Sequence, residues 1–239
     1  MVLLFVFLLT IVASFIQRVS GFGFGIFVMM FFPFFLPSYG ESVMLSGLLA
    51  GSTALMIAVR NWTYIRWRMM GWVVFFNVLF SFLATEYMRS MSNSTLKQCL
   101  GVMLILIALY FFFGEGRMGK IFKSKPAQVT IGSISGIMGG MFAMPGPPIV
   151  LYCISTLENK REYVTTLQAF SVVLNIFYTL FRTKAGFYSD DTWLCLVIGI
   201  GGAIIGSSLG ARCFEIISNR MLKLIVYGMM IISGLVAIL

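Results

Sequence analysis

Two stretches of this chain place glycines and prolines among large apolar side chains. The first is GFGFG, with Gly21, Gly23 and Gly25, and the second is GGMFAMPGPP, residues 139–148. A helix that breaks inside such a stretch leaves unpaired backbone N–H groups at the start of the next half-helix, and the helix dipole adds partial positive charge there. That arrangement suits an anion. Two such breaks that converge would form an anion-binding cradle.

Glycines and prolines have different roles in this cradle. Glycines permit close backbone approach, and prolines fix the bends and set the helix starts. The candidate cradle residues are Gly21, Gly23, Gly25, Gly139, Gly140, Pro145, Gly146, Pro147 and Pro148. Glycines at this spacing also let membrane helices pack closely, which is the competing interpretation. We favour a site because the motif occurs twice and prolines follow it.

Polar side chains inside apolar stretches are further candidates, because hydrocarbon penalises them. Gln168 and Asn175 lie two helical turns apart and share one helix face, where they could donate to an oxyanion or join helices. Ser52 and Thr53 are weaker candidates, since hydroxyls in membrane helices often bond their own backbone. Tyr152 follows the proline turn, so its hydroxyl could face the site or the membrane interface.

Three arginines could attract an anion. Arg18 precedes Gly21 by three residues and either reaches the site or extends to the cytoplasmic surface. Arg60 and Arg182 occupy corresponding positions in the two halves of the chain, as vestibule residues or as loop anchors. We favour the loop-anchor interpretation for both.

The composition is that of a membrane protein. The chain has 239 residues, of which 59% are hydrophobic and 10% are charged, whereas soluble domains have about 25% charged residues. Apolar stretches of nearly 20 residues recur, as in helices that cross a bilayer. The net charge of +9 comes from residues in short loops, which is the positive-inside pattern rather than a nucleic-acid-binding surface.

Catalytic and metal chemistry have little support. The chain has no histidine and four isolated cysteines, which excludes a Ser-His or Cys-His pair and argues against a zinc site. A Ser-Lys pair would need a lysine at membrane depth, but Lys97, Lys160, Lys184 and Lys223 all lie at the ends of apolar spans. We therefore expect no enzyme activity, no cofactor and no metal.

The chain contains an internal repeat. The stretch from Gly21 to Pro33 matches the stretch from Gly136 to Pro148 at one offset, and SNSTLK at 92–97 matches SNRMLK at 218–223. The repeat predicts three regions: a first transmembrane repeat at 1–113, a basic cytoplasmic linker at 114–126 and a second transmembrane repeat at 127–239.

Each half is predicted to contain one broken element, at 2–37 or 127–156, followed by three transmembrane helices. The predicted helices are 42–59, 69–88, 96–113, 163–181, 191–211 and 221–239. If both broken elements are re-entrant hairpins, twelve basic loop residues lie on one side and four on the other. The first side is then cytoplasmic, both termini are outside, and the second repeat is inverted. This all-α architecture, with about eight hydrophobic segments, is typical of secondary transporters.

The stretches SGIMGGMFAMPGPPIVLYCIS and REYVTTLQAFSVVLN resemble the second-half signature of the TauE/SafE sulfite exporter family. The first repeat departs from the family pattern at Phe22 and Phe24, which separate its glycines. The resemblance implies a multi-pass protein of the bacterial cytoplasmic membrane that exports sulfite or a small organosulfonate. An anion channel and an importer of another small anion are the alternatives. The expected partners are the small sulfur-containing anion and the lipid bilayer, and a homo-oligomer stays open.

Overall fold

The structure is a computed structural model that describes residues 2–114, 124–157 and 159–213. The described residues form helices and no strands. Two short 3₁₀ turns, Trp62–Tyr64 and Trp67–Met69, connect the fourth helix to the fifth. The helices are α1 Val2–Ser20, α2 Phe24–Met29, α3 Phe32–Phe35, α4 Tyr39–Arg60, α5 Gly71–Met88, α6 Asn93–Gly114, α7 Lys125–Phe142, α8 Gly146–Thr156, α9 Lys160–Lys184 and α10 Asp190–Cys213.

Five of the described helices, α1, α4, α5, α9 and α10, are long and apolar enough to cross a membrane. This confirms the predicted all-α polytopic membrane fold. The five predicted spans that fall within the described residues coincide with α4, α5, α6, α9 and α10, within three residues at each end. The sixth predicted span, 221–239, lies outside the described residues.

Polar caps explain why two helices begin earlier than their apolar stretches. The Ser38 side chain accepts a hydrogen bond from the Glu41 N–H at 3.1 Å, so α4 begins at Tyr39. The Asn159 side chain accepts one from the Arg161 N–H at 2.9 Å at the start of α9. Each cap satisfies an N–H that the helix itself leaves unpaired.

Both broken elements double back on themselves. Val2 at the start of α1 and Leu36 after α3 line the same cavity, so the first element returns to the end from which it started. In the second element, Ala127 of α7 and Leu151 of α8 line a common groove. This geometry is compatible with two hairpins, and their inverted relation in the membrane stays a prediction.

The helix bundle has two distinct ends. At one end, which we name the Tyr39 end, the Tyr39 N–H donates to the Asn93 side chain at 3.3 Å. At the opposite end, which we name the Arg60 end, the Arg66 N–H donates to the Thr166 hydroxyl at 3.1 Å. The helices α1 and α4 both run from the Tyr39 end to the Arg60 end.

Glycines set the tightest helix contacts, which join α5 to α7 and α1 to α10. A Cβ at Gly136 of α7 would lie 2.5 Å from the Asn77 carbonyl oxygen, and a Cβ at Gly206 of α10 would overlap the Ile11 carbonyl oxygen. Small residues permit this close backbone approach in membrane helices. The third main contact joins α4 to α9, the two helices that flank the site.

Candidate functional site

The first break separates α1 from α2 at glycines with positive φ. Gly21 has φ 85° and Gly23 has φ 98°, a backbone region that L-residues with a side chain rarely adopt. The Gly21 N–H still bonds the Gln17 carbonyl at 2.9 Å, so α1 ends in a regular turn before the chain reverses. The glycines therefore allow the reversal.

The second break separates α7 from α8, with Ala143 in the left-handed region at φ 56°. The Ala143 N–H bonds the Gly139 carbonyl at 3.2 Å, and the Met144 N–H bonds the Met138 carbonyl at 3.3 Å. This pattern closes the end of a helix and usually places glycine where Ala143 lies. The alanine therefore holds a strained conformation at the break.

The two breaks meet beside Ala50, near the middle of α4. A Cβ at Gly25 would overlap the Ala143 carbonyl oxygen, and the Cβ position of Gly146 lies 3.6 Å from the Phe22 Cβ. The breaks enclose a small space of about 60 Å³, which we name the central cavity. Its wall is formed by residues 21–26, 143–147 and 149 together with Gln17, Ala50, Leu167, Phe170, Ser171, Leu174 and Asn175.

Backbone donors at the two breaks differ in number. At the start of α2, three N–H groups precede the first intrahelical bond, which joins the Phe27 N–H to the Gly23 carbonyl at 2.9 Å. At the start of α8, residues 145–148 include three prolines, which have no N–H. Only Gly146 can donate there. The first break therefore supplies most of the backbone hydrogen-bond donors. The second break contributes mainly rigid, apolar surface to the cavity wall.

Helix α9 brings polar side chains to the cavity. Gln168 Nε2 donates to the Gly21 carbonyl at 2.8 Å, and Gln17 Nε2 donates to Gln168 Oε1 at 2.8 Å. Asn175 lines the cavity, and its Nδ2 donates to the Ser171 carbonyl at 2.8 Å. Gln168 thus ties α9 to the first break, while the Asn175 Oδ1 side of the amide lies toward α4 beside Gly47.

Arg182 lies inside the helix bundle, with a side chain that is 1% exposed. Its Nη2 donates to the Gly139 carbonyl at 2.5 Å, and its guanidinium carbon lies 5.1 Å from the centroid of the Tyr178 ring. Arg182 Nη1 and Asn175 Oδ1 both contact the same face of α4, at Gly47. The interpretation of Arg182 as a loop anchor is therefore wrong, because α9 extends past it to Lys184 and packs it against α4.

Arg182 lacks a compensating negative charge among the described residues. Neither ion pair in that part of the chain involves it, and its buried Nε has no hydrogen-bond partner there. An ionised side chain in such a position is costly, so membrane proteins keep it mainly where it acts on a substrate or ion.

A chain of buried hydrogen bonds connects α9 to the second break. The Tyr178 hydroxyl donates to Asn77 Oδ1 at 2.6 Å, and Asn77 Nδ2 donates to the Ser135 hydroxyl at 2.9 Å. The Ser135 hydroxyl in turn donates to the Pro145 carbonyl at 2.6 Å. Helix α9 is therefore bonded to both breaks, through Gln168 at the first and through this chain at the second.

The structure brings together about half of the predicted site residues. Those that line the central cavity are Gly21, Gly23, Gly25, Pro145, Gly146, Pro147 and Asn175. Gln168 lies one hydrogen bond behind this wall. Gly139 accepts from Arg182, and a Cβ at Gly140 would lie 2.7 Å from the Ser81 carbonyl oxygen at the contact between α5 and α7.

The remaining predicted site residues lie elsewhere. The hydroxyls of Ser52 and Thr53 donate to backbone carbonyls one turn earlier in α4, at 2.8 and 2.9 Å. The Tyr152 hydroxyl donates to the Met69 carbonyl at 3.2 Å, at the Arg60 end. Pro148 lines the groove between α7 and α8, and Arg18 lines a separate cleft with Arg60.

Sequence reasoning missed Gln17 and Tyr178, and for Arg182 it favoured the loop-anchor role over a role near the site. A signal for two of them was present, because residues 168, 171, 175, 178 and 182 alternate spacings of three and four and so form one face of α9. Extending the step from Gln168 to Asn175 by another seven residues reaches Arg182. Gln17 had no comparable signal, since it stands alone among apolar neighbours in α1.

The chain matches the family described as "Sulfite exporter TauE/SafE" over residues 6–237. No curated protein and no solved structure matches it. The family match spans both predicted repeats and both breaks, and the helices of the structure are those of a multi-pass membrane protein. The chain therefore belongs to the TauE/SafE sulfite exporter family, a family of membrane transporters.

Proposed function

We propose that this protein exports sulfite or a small organosulfonate and binds it in the central cavity. The observation that carries the proposal is that both breaks of a sulfite exporter family member open onto one small cavity. A broken helix in a membrane exposes backbone groups that need a polar partner, and a bound anion is such a partner.

The size and polarity of the cavity support a small oxyanion. A space of about 60 Å³ has room for about four waters. The donors nearest to it are uncharged, namely the first N–H groups of α2 and the amide of Asn175, whose Nδ2 otherwise bonds the Ser171 carbonyl at 2.8 Å. Uncharged donors can hold an anion and still release it, which a carrier requires.

Arg182 supplies the positive charge that the cavity wall lacks. It lies behind Asn175 on the same face of α9, and both side chains contact Gly47. At this depth a positive charge is screened only weakly by solvent, so it acts on an anion in the neighbouring cavity. Its position toward the Tyr39 end gives the anion a favourable site on the way out.

Helix α9 is the element that can couple the two breaks during transport. It bonds the first break through Gln168 and the second through Tyr178 and Arg182. A shift of α9 relative to either hairpin would therefore alter the cavity from both sides. Such rocking of one part of the bundle against another is how transporters of this general architecture expose a site alternately.

Counterflow in proteoliposomes tests this proposal. Vesicles loaded with unlabelled sulfite should accumulate radiolabelled sulfite transiently, and taurine, sulfoacetate, thiosulfate, sulfate and chloride should be compared as loaded anions. We expect Asn175→Ala to raise the half-saturating concentration about tenfold, because the bound anion takes the Nδ2 donor that otherwise bonds the Ser171 carbonyl, and the variant loses this hydrogen bond to a charged group. Ser133→Ala is the matched control, since the Ser133 hydroxyl donates to the Val129 carbonyl of its own helix at 2.8 Å.

Each outcome of the counterflow assay separates the candidate functions. Saturable counterflow with a sulfur anion supports a carrier, whereas unsaturable flux without counterflow supports an anion channel. Counterflow that prefers an anion without sulfur would keep the carrier and overturn the substrate. Equal kinetics for Asn175→Ala and Ser133→Ala would place the binding site away from the central cavity.

A further inference from the structure

A second polar cavity lies at the Arg60 end, between the last turns of α1, α4 and α10. It has a volume of about 130 Å³ and is lined by Arg18, Met56, Arg60, Ile204, Ser207, Ser208 and Ala211. We name it the arginine cleft. It shares no residue with the central cavity, although Arg18 follows the cavity residue Gln17 directly in α1.

Two positively charged side chains line this cleft. Arg18 of α1 and Arg60 of α4 both line its wall. Within the described residues neither guanidinium takes part in an ion pair, and the buried Nε of Arg18 has no hydrogen-bond partner. Like charges held together without a counter-charge are unfavourable, and an anion between them removes the repulsion.

The packing of the cleft holds this arrangement in place. The Cβ and Cγ atoms of Arg18 lie 2.8 and 3.0 Å from the Cβ position of Gly210, so the stem of Arg18 is fixed against α10. The serines of α10 add two hydroxyl groups to the same wall. Planar guanidinium groups and hydroxyls together match the several oxygens of an oxyanion.

We propose that the arginine cleft is a second anion site, which binds a small oxyanion of the sulfate or phosphate type between Arg18 and Arg60. Either of two sources could supply this chemistry, a free oxyanion in solution or the phosphate of a lipid headgroup. The site does not require the central cavity to bind the same anion, so it stands apart from the proposed function.

Arginine-specific modification tests the cleft directly. The full-length protein in nanodiscs of neutral phosphatidylcholine is treated with phenylglyoxal, and modification of each arginine is followed by peptide mass spectrometry with and without sulfate or inorganic phosphate. Arg60 is exposed and should react readily. At roughly ten times its Kd, the anion should slow the modification of Arg60 about tenfold, because only about a tenth of the sites stay empty. Arg68, an exposed arginine at the same end, is the control and should react equally in both conditions.

A second set of nanodiscs, with anionic phosphatidylglycerol and no added oxyanion, distinguishes the two sources. Protection of Arg60 by sulfate in neutral lipid identifies a free oxyanion. Protection only in anionic lipid identifies a headgroup. If Arg60 is modified at the same rate with and without oxyanion and in both lipids, as Arg68 should be, the proposal is wrong.

A variant separates binding in the cleft from general screening of charge. Arg18→Gln keeps the stem that packs on Gly210 and removes one of the two charges. In this variant Arg60 should still react with phenylglyoxal, but sulfate and anionic lipid should no longer protect it. If protection of Arg60 persists in Arg18→Gln, the anion binds Arg60 alone and the two-arginine site is wrong. Because modification is measured without transport, failure here leaves the counterflow result unaffected, and the reverse also holds.

Discussion

At the scale of single residues, Arg182 is the most informative side chain in the molecule. It is fully buried, it bonds one backbone carbonyl, and no carboxylate among the described residues balances its charge. A structural role alone would be served at lower cost by a neutral residue, because burying an unpaired charge is unfavourable. The position of Arg182 beside Asn175 and Gly47 instead relates the charge to the central cavity.

Replacing Arg182 should therefore separate transport from stability. We expect Arg182→Gln to lower the rate of anion counterflow by about tenfold or more, equivalent to about 1.4 kcal/mol, while its thermal unfolding temperature stays at or above that of the native chain. Arg182→Lys keeps the charge and should retain more of the transport rate. Counterflow and thermal unfolding in the same detergent-purified samples measure both effects.

Two results would contradict this account of Arg182. Native transport by Arg182→Gln would mean that the anion does not use the charge. A large loss of thermal stability in both variants would mean that the bond to Gly139 and the contact with Tyr178 hold the fold together, which is a structural role.

At the scale of elements, glycine-lined contacts decide how the hairpin helices pack. Helix α7 lies on the backbone of α5, and α10 lies on the backbone of α1. Between lipid tails the hydrophobic effect does not drive helices together, so close van der Waals packing must do so. The same contacts fix where each hairpin ends and thereby where the two breaks meet.

Two glycines of α10 test this packing with one matched substitution. Gly206 faces the Ile11 carbonyl oxygen, whereas the Cβ position of Gly201 has only a 3.7 Å contact with the Phe7 ring. We expect Gly206→Ala to destabilise the protein by about 2 kcal/mol through overpacking, and to lower the unfolding temperature by roughly 4–8 °C. Gly201→Ala should be neutral or slightly stabilising, since alanine favours helix. Equal unfolding temperatures for the two variants would show that α1 and α10 can separate without cost.

At the scale of the whole molecule, charged side chains are distributed unevenly between the two ends of the helix bundle. The arginine cleft lies at the Arg60 end, and Arg182 lies beyond the central cavity toward the Tyr39 end. At the Tyr39 end, Glu41 and Asp191 line a wider cavity of about 290 Å³. Positive groups that precede negative ones along this axis suit an anion that enters at the Arg60 end and is released at the other.

This arrangement predicts that membrane potential alone can drive export. Every acidic residue whose solvent exposure the structure describes is at least partly exposed. No carboxylate in that part of the chain therefore offers a proton relay across the bundle. An interior at −100 mV favours exit of a monovalent anion by about 2.3 kcal/mol, which corresponds to a concentration ratio of roughly 50-fold.

A potassium diffusion potential set with valinomycin measures this dependence in proteoliposomes. Outward flux of labelled sulfite should rise as the interior is made more negative, with no sodium or pH gradient present. If the flux does not depend on membrane potential but requires a sodium or pH gradient, electrogenic export is wrong and transport is coupled to that ion.

Much of the fold could be read from local features of the sequence. The lengths of the apolar stretches predicted the helices that the structure describes. The two glycine and proline motifs located both breaks, because a break in a helix depends on the residues at the break itself. The expectation that the two breaks converge agrees with the cavity that residues around Gly21 and Pro145 line together, and anion binding there stays a prediction. Local sequence also identified the shared face of Gln168 and Asn175, since helical spacing determines it.

Only the tertiary structure decided which polar residues reach the cavity. Arg182 is near the end of an apolar stretch. Helical spacing places it on the face of Gln168 and Asn175, but only the structure shows that α9 extends past it and carries it into the bundle. Ser52 and Gly140 are residue types that suit a binding site. The Ser52 hydroxyl nevertheless bonds a carbonyl of its own helix, and Gly140 packs on α5. These outcomes depend on how helices rotate and pack against each other, which is set by contacts between residues far apart in the chain. The sequence by itself determined where the helices break, and packing determined which side chains the breaks meet.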